Sequence, residues 1–404
     1  GAKSPLELPS DGRPGFGKSV IGERFDWEKW QQYFKEVGFI AETTNSPPRD
    51  VLRALEHYAP QIEQWSQWKT RLNCRFALDL KAGAAMPLPH LVVFQQASQI
   101  FSLRLRAHLA LGDSGAAYDD FRQGVQAYYA LAEEPTVICG LVRISVLAIL
   151  MNAIHDGLEQ HAWTEPDLRK LDADLSTVRI WKDYAFSYSC ERAFGNWIHE
   201  TILATSGWSR AKMLSSLASG PTPWQGSVVL ALIPKRVFRD NQLRHNRYFD
   251  EMLARVNAER TGFNLDRPTP SGPENLAGFD TYYFALLRIL EPIYADVDQS
   301  YFLAKTRLDQ VRVAIALERY RFARGEIPET LAELVPELMA ELPRDLYTGR
   351  AMFYRRTEDD GFLLYSIGPN RQDDGGAIDL KLSDKKQRDW VWLGSGGSLP
   401  KTVR

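Results

Sequence analysis

Apolar side chains recur at helical spacing through most of the chain between residues 49 and 324, and this pattern constrains the fold more than any other feature. In segments 49–69, 90–111, 114–132 and 299–324, apolar residues return every three or four positions and so share one face of a helix. Such a face is stable only when it packs against another element. The pattern therefore predicts a mainly α-helical body of helical hairpins or a bundle.

The most apolar stretch, residues 136–154, carries Arg143 at its centre and Asn152 near its end. A membrane-spanning helix needs about 20 predominantly apolar residues, and an arginine at its centre costs roughly 2.5–3.5 kcal/mol on insertion scales. We therefore expect this stretch to be a helix in the protein core, with Leu147 buried.

The pattern changes after Arg324. Gly325 ends the last long helix, and two β-like runs, 351–356 and 362–367, are separated by a Glu-Asp-Asp-Gly turn. This spacing predicts a β-hairpin, and a further apolar run at 390–393 predicts one more strand. The C-terminal part is thus expected to be a small α+β module with a short antiparallel sheet.

Proline and glycine divide the chain into three parts. We expect residues 1–45 to be an N-terminal arm with one short helix capped by Asp26, residues 46–298 the α-helical body, and residues 299–404 the α+β module. Two long connections rich in Pro and Gly, 219–234 and 263–278, interrupt the body. Loops of this length in a compact protein are often functional.

Charge and cysteine content exclude several classes of protein. The formal net charge is −2 over 404 residues, so no global positive field favours nucleic acid or an anionic membrane. The three cysteines, Cys74, Cys139 and Cys190, lie far apart and form neither a disulfide framework nor a CxxC metal motif. We expect all three to be reduced.

One basic cluster stands out, made of Lys235, Arg236, Arg239, Arg244 and Arg247. Such a cluster suits contact with a phosphate or an anionic polymer. Asp250 and Glu251 follow within one helical turn of Arg247, so the alternative interpretation is a solvated helix face.

The spacing of Ser, His, Cys, Asp and Glu assembles no catalytic motif, and we nominate no general acid or base. Residues 12–19 match the GxxxxGKS pattern, but the residues before them cannot form the buried strand that a phosphate-binding loop requires. Asp296 and Asp298 imitate the start of an EF-hand loop, but Tyr301 and Arg307 occupy its essential Gly and Glu positions. We expect Asp296 or Asp298 to cap a helix instead.

Residues 109–125, LALGDSGAAYDDFRQGV, resemble the middle of a tetratricopeptide repeat. The Gly112-Asp113 turn and the small Gly124 fall where two helices must approach closely. The resemblance implies a helical hairpin, and it implies a repeat adaptor if further hairpins stack on this one.

A second resemblance covers the C-terminal quarter. Its motifs are a helix that ends in YRFARGEIP, then LPRD, then YSIGPN, then DDGG, at residues 320–328, 342–345, 365–370 and 373–376. This order resembles the globular end of the major pseudopilins of type II secretion. The same run behind a helical body is similar to large uncharacterised envelope proteins of planctomycete and verrucomicrobial bacteria.

The pseudopilin resemblance implies a calcium site in the acidic loop after the second strand, because in that family several oxygen atoms converge there on a hard cation. The matching positions are Asn370, Asp373, Asp374 and Asp379. The alternative is a solvated Asp/Gly turn that binds no metal.

The resemblance also sets the expected function. We expect a non-enzymatic extracytoplasmic scaffold or binding protein, periplasmic or in the cell envelope, linked to a secretion or pilus-like system. Because the chain starts at Gly1 rather than Met, we expect that a signal peptide or membrane anchor has been removed. The expected partner is a protein or an envelope polymer, bound through the long loops or the C-terminal module.

Two alternatives stay open. One is an envelope hydrolase whose active site lies in a cleft between the helical body and the C-terminal module, and the other is a tetratricopeptide-like adaptor. A deep pocket lined by buried, convergent Asp, Glu, His or Arg favours the enzyme, whereas a shallow or apolar surface favours the scaffold. Further stacked hairpins favour the adaptor.

Overall fold

The structure is a computed structural model of the chain. It describes residues 6–16, 25–67, 74, 76–79, 86–210, 212, 233–267, 292–357, 360–379 and 387–394. Most of the predicted long connections 219–234 and 263–278 lies outside these residues, as does the end of the GxxxxGKS pattern at 17–19.

The fold is mainly α-helical, as the spacing of apolar residues predicts. The helices are α1 Trp27–Glu36, α2 Pro47–Leu55, α3 Ala59–Ser66, α4 Pro89–Ala110, α5 Ser114–Ala130, α6 Val137–Glu159, α7 Glu165–Leu175, α8 Ile180–Ala204, α9 Lys235–Leu253 and α10 Pro292–Arg324. Two short 3₁₀ helices lie at Glu56–Tyr58 and Leu331–Leu334.

The single helix predicted over 49–69 is wrong in detail. Pro47 and Pro48 form the first turn of α2, where the missing N–H of proline costs nothing. The helix then breaks at Glu56–Tyr58 because Pro60 cannot donate a hydrogen bond to the preceding turn.

Helices α4 and α5 form the hairpin that the tetratricopeptide resemblance implies. Gly112 makes the turn with a φ of +81°, and the Asp113 carboxylate accepts the Ala116 N–H at 2.9 Å. A Cβ on Gly124 would lie 2.7 Å from Leu150 and 3.3 Å from Phe101. Only glycine therefore allows α5 to pack this closely against both α4 and α6.

Helix α6 is the core helix of the body. Leu147 is fully buried, which confirms the prediction, and Arg143 is buried with its Nη1 atom 2.8 Å from Asp183. Arg143 also donates to the Tyr128 carbonyl oxygen at 2.9 Å. Among the described helices, α6 alone is long and apolar enough to cross a membrane, and most of it is buried inside the body.

The C-terminal module holds the predicted hairpin and third strand. Strands β1 Phe353–Arg356, β2 Phe362–Ser366 and β3 Trp390–Leu393 form an antiparallel sheet in the order β1-β2-β3. Helix α10 packs against this sheet and also against α6, α7 and α8. At the sheet, Gln310 donates to the Trp390 carbonyl oxygen at 2.6 Å. Helix α10 thus connects the module to the body.

The described cysteines are unpaired: Cys139 is buried, while Cys74 and Cys190 are half-buried. This agrees with the expected absence of a disulfide framework.

Candidate ligand-binding cleft

A cavity of about 650 Å³ opens between the helical body and the C-terminal module, where the sequence suggested a functional cleft. One wall is the turn that follows α9, and the other is a short loop of the module before β1. The cavity is lined by residues 254–258, 262–267 and 346–349. Polar atoms form more of its surface than apolar atoms do.

Two asparagines shape the first wall. The Asn257 side-chain oxygen accepts the N–H groups of Thr261 and Gly262 at 2.8 and 3.0 Å. The Asn264 side-chain oxygen accepts the N–H of Asp266 at 2.9 Å. These bonds satisfy the backbone of a tight turn. They leave Asp266 and Arg267 exposed at its tip.

A buried aspartate shapes the second wall. Asp345 is fully buried, and its Oδ1 atom accepts the N–H groups of Tyr347 and Thr348 at 2.9 and 2.7 Å. Burial raises the pKa of Tyr347. Asp345 is the aspartate of the LPRD motif, so this motif builds one side of the cleft.

The base of the first wall is an arginine stacked on an aromatic ring. Arg255 is buried, and its guanidinium lies 4.7 Å from the centre of the Phe263 ring. Phe263 in turn packs against Trp181 and Phe302, with ring centres 4.9 Å apart in each pair. The cleft therefore rests on helices α8 and α10.

Asp298 lies behind this base and not at a helix cap. The expectation that Asp296 or Asp298 caps a helix is wrong, because both lie inside α10, and Asp298 is buried. Its Oδ1 atom accepts hydrogen bonds from the hydroxyl groups of Tyr184, at 3.0 Å, and Tyr188. Burial raises the pKa of Asp298 to about 6, against the lowering effect of these bonds and of the Arg255 charge.

The predicted calcium loop lies beside the cleft. Arg371 in this loop donates to the Leu265 carbonyl oxygen at 3.2 Å, which ties the loop to the first wall. Of the four predicted ligands, Asn370 and Asp374 are hydrogen-bonded to each other at 2.7 Å. Asp373 instead accepts the Tyr365 hydroxyl at 3.0 Å.

The fourth predicted ligand, Asp379, is bonded through its main chain to the Gln387 side chain. Sequence reasoning missed Asp389, which is fully buried next to the loop and accepts the Gly376 N–H at 2.8 Å. Burial raises its pKa to about 6. The one sequence signal for Asp389 was its position immediately before the apolar run 390–393.

The predicted basic cluster lies on α9. Arg236, Arg239 and Arg247 are exposed, and the exposed Leu243 lies on the same helix. Arg236 is 3.7 Å from Asp240 on the next turn. The described side chains thus present both charges on α9.

A second cavity, of about 320 Å³, lies between α6 and α10. Its lining is mainly apolar, with Trp392 of the sheet and Arg307 of α10 among its residues. Arg307 donates to the Val391 carbonyl oxygen and, at 3.0 Å, to Gln310. The Arg307 guanidinium therefore hydrogen-bonds α10 to the sheet.

Two groups of metal-ligating side chains occur among the described residues, and neither includes the acidic loop. One is His90, Glu134 and Cys139, and the other is His155, Asp156 and Glu159. In the second group, Asp156 already forms an ion pair with Arg106, with 2.5 Å between Arg106 Nε and Asp156 Oδ2. Sequence reasoning missed the first group because its members come from separate elements and share no motif.

Comparison of the chain with protein-family models, with curated proteins and with solved structures finds no significant match.

Proposed function

We propose that this chain is a non-enzymatic, extracytoplasmic binding protein that holds a polar envelope polymer, a polysaccharide, in the cleft between the helical body and the C-terminal module. The observation that carries the proposal is the polar lining of that cleft. Both of its walls are turns whose backbones are held by buried or capping side chains.

The chemistry of the lining supports a polysaccharide over a protein partner. At the exposed tip of the first wall, the Asp266 carboxylate offers acceptors for neighbouring sugar hydroxyls. The Arg267 guanidinium offers planar donors there, through the N–H groups that do not bond the Ala254 carbonyl oxygen. A protein partner is held mainly by large apolar and aromatic anchors that fill apolar pockets. The polar surface of this cleft provides little room for such anchors.

The lining also favours binding over hydrolysis. Residues 254–258, 262–267 and 346–349 contain one carboxylate, Asp266, and no histidine, cysteine or glutamate. Glycoside hydrolysis ordinarily requires two carboxyl groups on opposite sides of the scissile bond. The buried Asp298 is held by two tyrosines and does not belong to the lining. The hydrolase thus stays the second candidate.

The proposed compartment rests on the C-terminal module. Helix α10, the Asp345 turn, the β1–β2 hairpin and the acidic loop follow one another in the order of the pseudopilin motifs. This order supports an envelope protein linked to a secretion or pilus-like system.

The experiment is a screen of the purified chain on an array of immobilised bacterial surface polysaccharides. We expect retention on at least one polysaccharide, without release of reducing ends over many hours. Release of reducing ends would favour the hydrolase, and a failure to bind any polysaccharide would contradict the proposal.

A pair of variants locates the binding. Asp266→Ala combined with Arg267→Ala removes two exposed side chains from the tip of the first wall. We expect this double variant to lose at least tenfold in affinity for the retained polysaccharide. The matched control is Arg324→Ala combined with Glu337→Ala, an exposed ion pair outside the cleft lining, which also removes one acid and one base and should bind as the unmodified chain does.

A further inference from the structure

His90, Glu134 and Cys139 bring one nitrogen, one oxygen and one sulfur ligand to a single place. His90 lies in the first turn of α4, Glu134 between α5 and α6, and Cys139 in the first turn of α6. Their ligand atoms all lie within 4.8 Å of one another, and His90 Nε2 is 3.5 Å from Glu134 Oε2. We propose that this cluster, separate from the cleft, is a binding site for a zinc ion.

The first support is a pair of unsatisfied atoms. His90 Nε2 and Glu134 Oε2 are buried and have no hydrogen-bond partner, and the Glu134 side chain is only 3% exposed. Glu134 is therefore a buried carboxylate, and a buried charge needs a compensating charge beside it. A divalent cation supplies that charge.

The second support is the charge balance of a filled site. Without a metal, Cys139 is a buried, free cysteine. Zinc binding breaks the S–H bond, releases the proton to solvent and leaves a thiolate bound to the metal. The thiolate and the Glu134 carboxylate then balance the two positive charges of zinc, and the neutral His90 adds none.

The third support is the way neighbouring groups hold the ligands. Thr136 caps α6, and its hydroxyl donates to Cys139 Sγ at 3.0 Å while it accepts the Cys139 N–H at 3.1 Å. The N-terminal end of a helix also favours a thiolate. The Phe76 N–H donates to Glu134 Oε1 at 3.4 Å, and the Phe76 ring stacks on His90 at 4.2 Å. Glu134 Oε2 is thereby left as the free oxygen.

The donor set selects the metal. Zinc accepts imidazole nitrogen, carboxylate oxygen and thiolate sulfur together, whereas calcium and magnesium bind oxygen ligands. Zinc bonds of about 2.0–2.3 Å place tetrahedral ligand atoms roughly 3.4–3.7 Å apart, so the observed cluster has to contract by about 1 Å. Three protein ligands leave the fourth position to a water molecule.

The test uses the full chain, reduced and stripped of metal with a chelator. We titrate it with Co²⁺, which replaces zinc in tetrahedral sites and reports on its ligands by absorption. We expect one equivalent of Co²⁺ to produce a near-ultraviolet sulfur-to-metal charge-transfer band, and one equivalent of Zn²⁺ to abolish it. If the wild-type chain shows no such band, the proposal is wrong, and this result depends on no variant.

Two variants and a control assign the ligands. Cys139→Ser should remove the charge-transfer band. Glu134→Gln keeps the shape of the side chain but removes its charge, and it should weaken zinc binding at least about 100-fold, since even indirect contacts to a metal change affinity 10–100-fold. Cys190→Ser changes a half-buried cysteine outside the cluster and should leave both measurements unchanged. A band that survives in Cys139→Ser, or disappears in Cys190→Ser, would overturn the assignment.

Discussion

At the scale of single residues, Asp298 is a group whose surroundings strongly alter its chemistry. Its carboxyl group is buried behind the cleft and accepts two tyrosine hydroxyls. Burial raises its pKa from 3.8 in the unfolded chain to about 6 in the folded chain. The folded chain therefore holds a proton that the unfolded chain releases, between about pH 4 and pH 6.

This linkage predicts the effect of Asp298→Asn. As pH rises from 4 to 7, wild-type stability should fall by about 3 kcal/mol through this group, because the folded state binds the proton more tightly. The asparagine variant lacks that loss. Its free energy of unfolding should therefore be close to that of the wild type near pH 4 and higher than that of the wild type near pH 7.5. Urea unfolding of both proteins at a series of pH values measures the difference. Asp296→Asn, which removes a carboxylate at an exposed position of the same helix, is the matched control.

Sequence reasoning succeeded for residues whose role depends on near neighbours. Asp26 was expected to cap α1, and its carboxylate accepts the Lys29 N–H at 2.9 Å. Asp298 and Asp389 were missed because their surroundings are set by elements distant in sequence. The His90, Glu134 and Cys139 cluster was missed for the same reason, since no spacing relates these three positions.

At the scale of elements, α6 determines the stability of the body. Leu147 lies at its centre and is fully buried, so Leu147→Ala removes packed atoms that the surroundings can replace only in part. We expect a loss of about 2–5 kcal/mol in the free energy of unfolding. Leu243→Ala, at a site that is 67% exposed on α9, should change stability by less than about 0.5 kcal/mol. Equal effects of the two changes would contradict the placement of α6.

The contact between α6 and α8 includes the buried pair of Arg143 and Asp183. Removal of one partner leaves a buried charge without compensation, which typically costs about 3–5 kcal/mol. We therefore expect Arg143→Met and Asp183→Leu to be strongly destabilising alone. Together they should cost less than the sum of the two, with a coupling of about 2 kcal/mol in a double-mutant cycle. Additive effects would show that the two side chains act independently.

The acidic loop allows a direct test of the calcium prediction. If Asn370, Asp373, Asp374 and Asp379 hold calcium, added calcium should raise the melting temperature, and Asp374→Ala should remove the rise, because the bound ion offsets repulsion between adjacent carboxylates. Magnesium at the same concentration is the control, since it demands a tighter octahedral site. A melting temperature unchanged by calcium or EDTA would leave the solvated turn as the better interpretation.

At the scale of the whole molecule, the periodicity of the sequence was enough to predict a helical body followed by a small sheet. Helical faces and the hairpin turn depend on residues close together in the chain, so they can be recognised in a single sequence. The sequence could not show that α10 packs against α6, α7 and the sheet together, because that depends on contacts such as Arg312 with Asp172 at 2.8 Å. The sequence predicted only where a cleft could lie, between the body and the module. It could not predict the lining residues, because these depend on how the body and the module pack together.

The central claim is that a polysaccharide binds in the cleft between the body and the module. Hydrogen exchange of the full chain, with and without the polysaccharide retained on the array, tests it most directly. We predict slower exchange in residues 254–267 and 346–349, with no change in the exposed arginine face of α9. Protection confined to α9, or no protection in either wall of the cleft, would contradict the account.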